Sequence, residues 1–155
     1  MASRQPSLHR TCLALATTML LAGAGQASAQ TGKHAWTFAN VSSGLHSVDH
    51  AVTVTYQPVK KLPRGALITQ VYATRDYTGQ ADVQTSLCWG GTQHCVDIIG
   101  RSISTRAFNG KNAAQPLYLV HRLRARRDSP SPLHVKGNVT VWYATPPQPQ
   151  DTPQR

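Results

Sequence analysis

Leu87-Cys88-Trp89-Gly90-Gly91-Thr92-Gln93-His94-Cys95-Val96 sets two cysteines on either side of a Gly-Gly turn signal, with β-type sequence on both flanks. In an antiparallel hairpin, Cys88 and Cys95 face each other across the ladder, within the spacing that a disulfide needs. The spacing is not Cys-x-x-Cys, and no helix follows to lower a thiol pKa, so the residues predict a structural bond and not a redox centre. Closing so short a loop stabilises by about 2.5 kcal/mol in the chain-entropy model. A stable disulfide also requires an oxidising compartment.

Outward from the hairpin the sequence reads as β. Val83, Thr85 and Leu87 alternate with Asp82, Gln84 and Ser86 on the way in, and residues 96–99 form the returning strand. Earlier, Val52, Val54 and Tyr56 alternate with Thr53 and Thr55, and residues 66–75 form a longer β-prone run entered through Leu62-Pro63-Arg64-Gly65. Later, residues 103–108 read as a strand stopped by Asn109-Gly110. Leu117, Leu119, His121, Leu123 and Ala125 then share one face, with Tyr118, Val120, Arg122, Arg124 and Arg126 on the other. After Asp128-Ser129-Pro130-Ser131-Pro132, Leu133, Val135, Val139, Val141 and Tyr143 take one side of a last strand. Short strands with period-two alternation and frequent turn signals predict an all-β fold, a small antiparallel β-sandwich or barrel-like domain with one hairpin disulfide. The polar segment 44–50 reads as a loop outside the core.

The N-terminus supports export. Arg4 and Arg10 precede an apolar run from Cys12 to Ala24, and Ala27-Ser28-Ala29 follows with small residues at the two positions a signal peptidase reads. This is the secretory leader pattern, and the run is well short of the roughly 20 residues that cross a bilayer. Residues 1–29 are therefore expected to be a cleaved signal peptide, which removes Cys12 and leaves one even pair of cysteines. Residues 30–144 are expected to be a single β domain with no membrane span. Residues 145–155 (TPPQPQDTPQR), rich in Pro and Gln, are expected to be a disordered tail.

Charge is lopsided. The chain carries a formal +10, and removing Arg4 and Arg10 with the leader leaves +8. All six acidic residues are Asp. Such a balance favours anionic surfaces or acidic proteins by long-range attraction. On the 117–126 strand, Arg122, Arg124 and Arg126 recur about every 7 Å. That row reads either as a partner-binding strip or as a solvated edge kept from aggregating by charge. Lys60, Lys61 and Arg64 form a second basic cluster in a turn. Trp89 reads either as a contact residue at the hairpin tip or as a ring folded back on the sheet. Nucleic acid is a poor match for an exported chain with no recognised binding motif.

Catalysis finds little support. There is no Gly-x-Ser-x-Gly elbow, phosphate loop or Cys-His arrangement, and without Glu a carboxylate pair is improbable. His46 and His50, with Asp49, have metal-like spacing, yet they lie in loop sequence with no further ligand set, so no metal or other cofactor is expected. Asn40-Val-Ser42 and Asn138-Val-Thr140 match the glycosylation pattern, a match too short to carry weight.

The order of these features resembles the FlhE family of flagellar proteins. The resemblance covers roughly residues 35–144. It rests on the Leu-Cys…Cys-Val hairpin, the Phe108-x-Gly110 turn, Ala113-Ala114 before Pro116-Leu117, and the terminal Asn138-Val-x-Val-x-Tyr143 strand, with Trp36 and Gly65 also fitting. The basic run 122–127 and the Pro/Gln tail depart from the family pattern. What the resemblance implies is a small, non-enzymatic periplasmic accessory of flagellar biogenesis. Its expected partners are flagellar rod or export-apparatus proteins. The expected role is chaperone-like or gating and limits proton leakage. Only Cys88 and Cys95 transfer individually, as the disulfide. The competing expectation, from the basic row and exposed aromatics, is an envelope carbohydrate- or polyanion-binding module.

Overall fold

The computed structural model describes residues 34–146. The leader at 1–29 and residues 147–155 of the expected tail lie outside the described residues. Eight strands follow in order: β1 His34–Val41, β2 Ala51–Tyr56, β3 Leu67–Asp76, β4 Ala81–Trp89, β5 Cys95–Asp97, β6 Ser102–Thr105, β7 Leu117–Arg126 and β8 Lys136–Ala144. They form two four-stranded sheets, β1-β8-β3-β6 and β2-β7-β4-β5, in which every pairing is antiparallel. The fold is an all-β sandwich, as the alternation predicts.

Alternating apolar side chains meet between the sheets. Ile68, Val71, Ala73, Val139 and Val141 from one sheet pack with Val54, Tyr56, Leu87, Leu117 and Leu119 from the other. Removing such side chains from water is what drives two amphipathic sheets together. A second cluster, of Leu45, Val83, Leu123, Leu133 and Val135, closes one end. That end holds the loops 42–50, 77–80, 98–101 and 127–135. The opposite end holds the cysteine hairpin and the loops 57–66 and 106–116. They are called below the far end and the hairpin end.

Four local readings change. Segment 44–50 is a loop, but it is not outside the core: Leu45 is 1% exposed and its backbone pairs with Leu133 through hydrogen bonds of 2.8 and 3.2 Å. Strand β1 has no counterpart among the strands expected from the sequence, although Trp36 and Phe38 alternate inward there, with the Trp36 indole donating to the Ala113 carbonyl at 3.2 Å. β6 stops at Thr105, and Phe108 enters the core from a turn. β5 stops at Asp97, so Ile98 is buried while Ile99 is 92% exposed in the connection to β6.

Gly137 marks the tightest inter-sheet approach. A Cβ there would lie 2.1 Å from the Tyr56 hydroxyl oxygen and 2.7 Å from Leu119 Cδ1. Glycine is what lets a tyrosine of one sheet reach the backbone of the other.

Candidate functional site

The hairpin forms as its residues require. Cys88 and Cys95 are opposite each other in the β4–β5 register and are joined by a disulfide. Gly90 and Gly91 turn the chain with φ of 64° and 150°, conformations that strain residues bearing a Cβ. Trp89 is half-buried and packs against the main core. Its indole donates to the Asn112 carbonyl at 3.1 Å, and Lys111 Nζ lies 5.2 Å from the ring centroid. The ring leans on the loop 106–116. One of its faces is occupied by a cation, an attraction that an aromatic quadrupole supplies.

The arginine row is present on β7, but its guanidiniums are engaged internally. Arg122 donates to the Asp49 carbonyl at 2.7 Å. Arg124 donates to Gln84 Oε1 at 2.7 and 3.0 Å and pairs with the Asp49 carboxylate at 2.7 Å. Arg126 donates to the Leu45 carbonyl at 3.0 Å and also to the Pro130 carbonyl. Together they tie the loops 44–50 and 127–133 to β7 and β4. Asp49, with φ of 63°, is the residue these contacts hold in a left-handed conformation. Sequence spacing placed the three arginines on one strand. Only the fold shows that carbonyls and one carboxylate lie within their reach.

A polar centre that sequence reasoning missed lies between the sheets. Arg75 points inward from β3, donates to Thr85 Oγ1 at 3.1 Å and to the Gly100 carbonyl at 2.7 Å, and also bonds the Val83 carbonyl. Thr85 Oγ1 lies 3.0 Å from His121 Nδ1, and both residues are fully buried. Arginine can only donate, so Thr85 Oγ1 accepts from Arg75, and the direction of the Thr85–His121 bond follows the imidazole tautomer, whose other ring nitrogen is Nε2. That nitrogen and the Tyr56 hydroxyl are buried without a hydrogen-bond partner. Burial, with the Arg75 charge beside it, pushes His121 down to about 4, and burial pushes the Tyr56 hydroxyl up to about 12. Burial also lowers Arg75 from the usual arginine range. A hydroxyl bonded to an imidazole is the outline of an activated nucleophile. Here both groups are buried between the sheets, and the chain Arg75–Thr85–His121 joins one sheet to the other. The available signal was an arginine at an inward position of a β-alternation.

His46, Asp49 and His50 do not come together as a ligand set, since the Asp49 carboxylate goes to Arg124. Among the described residues no group of three or more His, Cys, Asp or Glu side chains is placed to hold a metal ion. No helix of the described residues is long and apolar enough to cross a membrane.

Lys60, Lys61, Arg64, Arg106 and Lys111 are all exposed on the loops of the hairpin end. None of them forms an ion pair or a side-chain hydrogen bond with another described residue.

The sequence profile of the family described as "Flagellar protein FlhE" matches residues 47–144. Among solved structures, the crystal structure of FlhE aligns with a TM-score of 0.60 at 22% identity, covering 72% of this chain and 97% of that one. At that identity the likeness shows the fold. A chain of desmodium yellow mottle tymovirus aligns over 98% of this chain and 100% of its own at 13% identity, but its TM-score of 0.34 carries no argument. No curated protein matches.

Proposed function

The chain belongs to the FlhE family of flagellar proteins, and from that premise we propose that it is a non-enzymatic periplasmic accessory of flagellar biogenesis. In this reading residues 1–29 direct export and are removed, and residues 30–144 act as one β domain. The domain binds rod or export-apparatus proteins, in a chaperone-like or gating role that limits premature assembly and proton leakage. The observation that carries the reading is the family match over residues 47–144, which spans seven of the eight strands. The disulfide is consistent with an oxidising compartment.

The partner contacts we propose are the Trp89 corner and the outward stems of Arg122 and Arg124. Arg126 has both terminal nitrogens on internal carbonyls and acts as a positioning residue for the two connections it joins. The carbohydrate or polyanion reading loses support at the β7 row, because the guanidiniums that were to bind anions are already bonded.

Crosslinking in flagellated cells, followed by affinity capture of this chain, should recover rod or export-apparatus proteins. Recovery should fall when Trp89→Ala is combined with Arg122→Ala. Capture of envelope glycans in place of flagellar proteins overturns the proposal. So does deletion that leaves motility, proton leakage and rod assembly all unchanged.

A further inference from the structure

Charge is divided between the two ends of the sandwich. At the far end, carboxylates and guanidiniums interleave: Asp76 pairs with Arg101, Asp49 with Arg124, and Asp82 and Asp128 lie beside Arg75 and Arg127. Asp97 sits partway along the sheet, bonded to Ser86. The hairpin end has no acidic residue at all in residues 57–67, 89–96, 105–116 or 144–146. It carries Lys60, Lys61, Arg64, Arg106 and Lys111, every one exposed.

The fold brings these cations to one surface. Hydrogen bonds of 2.8 to 2.9 Å from Ile68 N to the Lys111 carbonyl, from Gly110 N to the Ile68 carbonyl and from Ala113 N to the Ala66 carbonyl fasten loop 106–116 to the start of β3. Residues 58–65, with Asn112 and Ala114, then line one shallow pocket. At the crest of loop 57–66, Val59 is 80% exposed, directly before Lys60 and Lys61.

We propose that the hairpin end docks on an anionic phospholipid bilayer. Cations without a carboxylate partner among the described residues, spread over two loops, match a laterally continuous anionic layer, which needs no single register of contacts. An isolated apolar side chain flanked by lysines suits the boundary between headgroups and acyl chains, where Val59 enters and the lysine stems reach back to phosphate.

Vesicle flotation tests the proposal. The full chain is expressed, the product recovered from cells is purified, and it is mixed with vesicles of phosphatidylcholine alone or with about a third phosphatidylglycerol. Binding should be selective for the anionic vesicles and should be released at about 0.5 M salt, where screening is nearly complete. Lys60→Ser, Lys61→Ser and Arg64→Ser together should weaken partitioning by about a hundredfold, at about fivefold per basic residue. Arg101→Ser with Arg127→Ser at the far end should leave it unchanged, and both variants should melt where the parent does. Equal binding to neutral vesicles, or equal loss in the far-end variant, overturns the proposal. Polyaspartate that displaces the protein from vesicles and binds it more tightly would also overturn it, and would identify the end as a site for acidic proteins. Capture of flagellar proteins is a separate readout, so loss of vesicle binding with capture intact removes the membrane site and leaves the flagellar reading standing.

Discussion

At the scale of single residues, two positions inside the sandwich are under opposite kinds of stress. Gly137 is a steric constraint, because any side chain on it collides with the Tyr56 hydroxyl. Gly137→Ala should cost about 1–3 kcal/mol in urea unfolding, the usual range for overpacking a core. Adding Tyr56→Phe should recover much of that loss, because it deletes both the obstructing oxygen and a buried hydroxyl with no partner. A neutral Gly137→Ala would mean that the sheets are less closely packed than described. His121 is an electrostatic constraint. Its imidazole is held near 4 in the folded chain, against about 6.5 when unfolded, by burial and by Arg75. Between those values the unfolded chain binds more protons, so stability should fall as pH drops from 6.5 to 4, by about 3 kcal/mol in total. His121→Gln should flatten that slope in denaturation curves taken across the window. An unchanged slope would assign the acid sensitivity to other groups.

At the scale of elements, β7 organises the far end. The two loops it anchors have few apolar residues of their own, Leu45 and Leu133 being the main ones. Their order comes from hydrogen bonds to arginines whose stems lie along the strand. The three arginines are not equivalent. Arg124 pairs with a carboxylate that is more than half exposed, in water that screens the attraction. Arg126 reaches the partly buried Leu45 carbonyl. Arg124→Ala should therefore cost less than about 1 kcal/mol, and Arg126→Ala about 1.5–3 kcal/mol, in thermal or urea unfolding. Proteolysis within 44–50 should rise with the second variant more than with the first, and the reverse order would show that the Asp49 pair is the stronger tie. The alternation that marks β7 was legible because period-two patterning is local. The engagement of its arginines was not, since their acceptors lie between 4 and 81 residues away.

At the scale of the whole molecule, the excess of basic over acidic residues is divided between two different surfaces among the described residues. One end is a mixed lattice of ions that stabilises loops. The other is a basic face with no acidic residue among the described ones, the kind of asymmetry that steers a protein toward an anionic target. Composition alone could not separate them, because charge along a chain is sorted by topology and not by sequence distance. Lys111 stands beside the 57–66 loop only because β3 and the 106–116 loop are hydrogen-bonded. By itself the sequence determined what depends on neighbours along the chain: the strand alternation, the Gly-Gly turn, the pairing of Cys88 with Cys95 and the resemblance to a flagellar family. The tertiary structure alone decided what depends on contacts between distant segments. Those are the inward arginine that joins the sheets through Thr85 to His121, the burial of Leu45 in a polar loop, the lean of Trp89 on the loop 106–116, and the end at which the exposed cations gather. The division has one physical cause. Backbone pattern is written at a spacing of two residues, whereas hydrogen-bond partners, burial and electrostatic fields are set by distances in space that a β-sandwich creates between residues far apart in the chain.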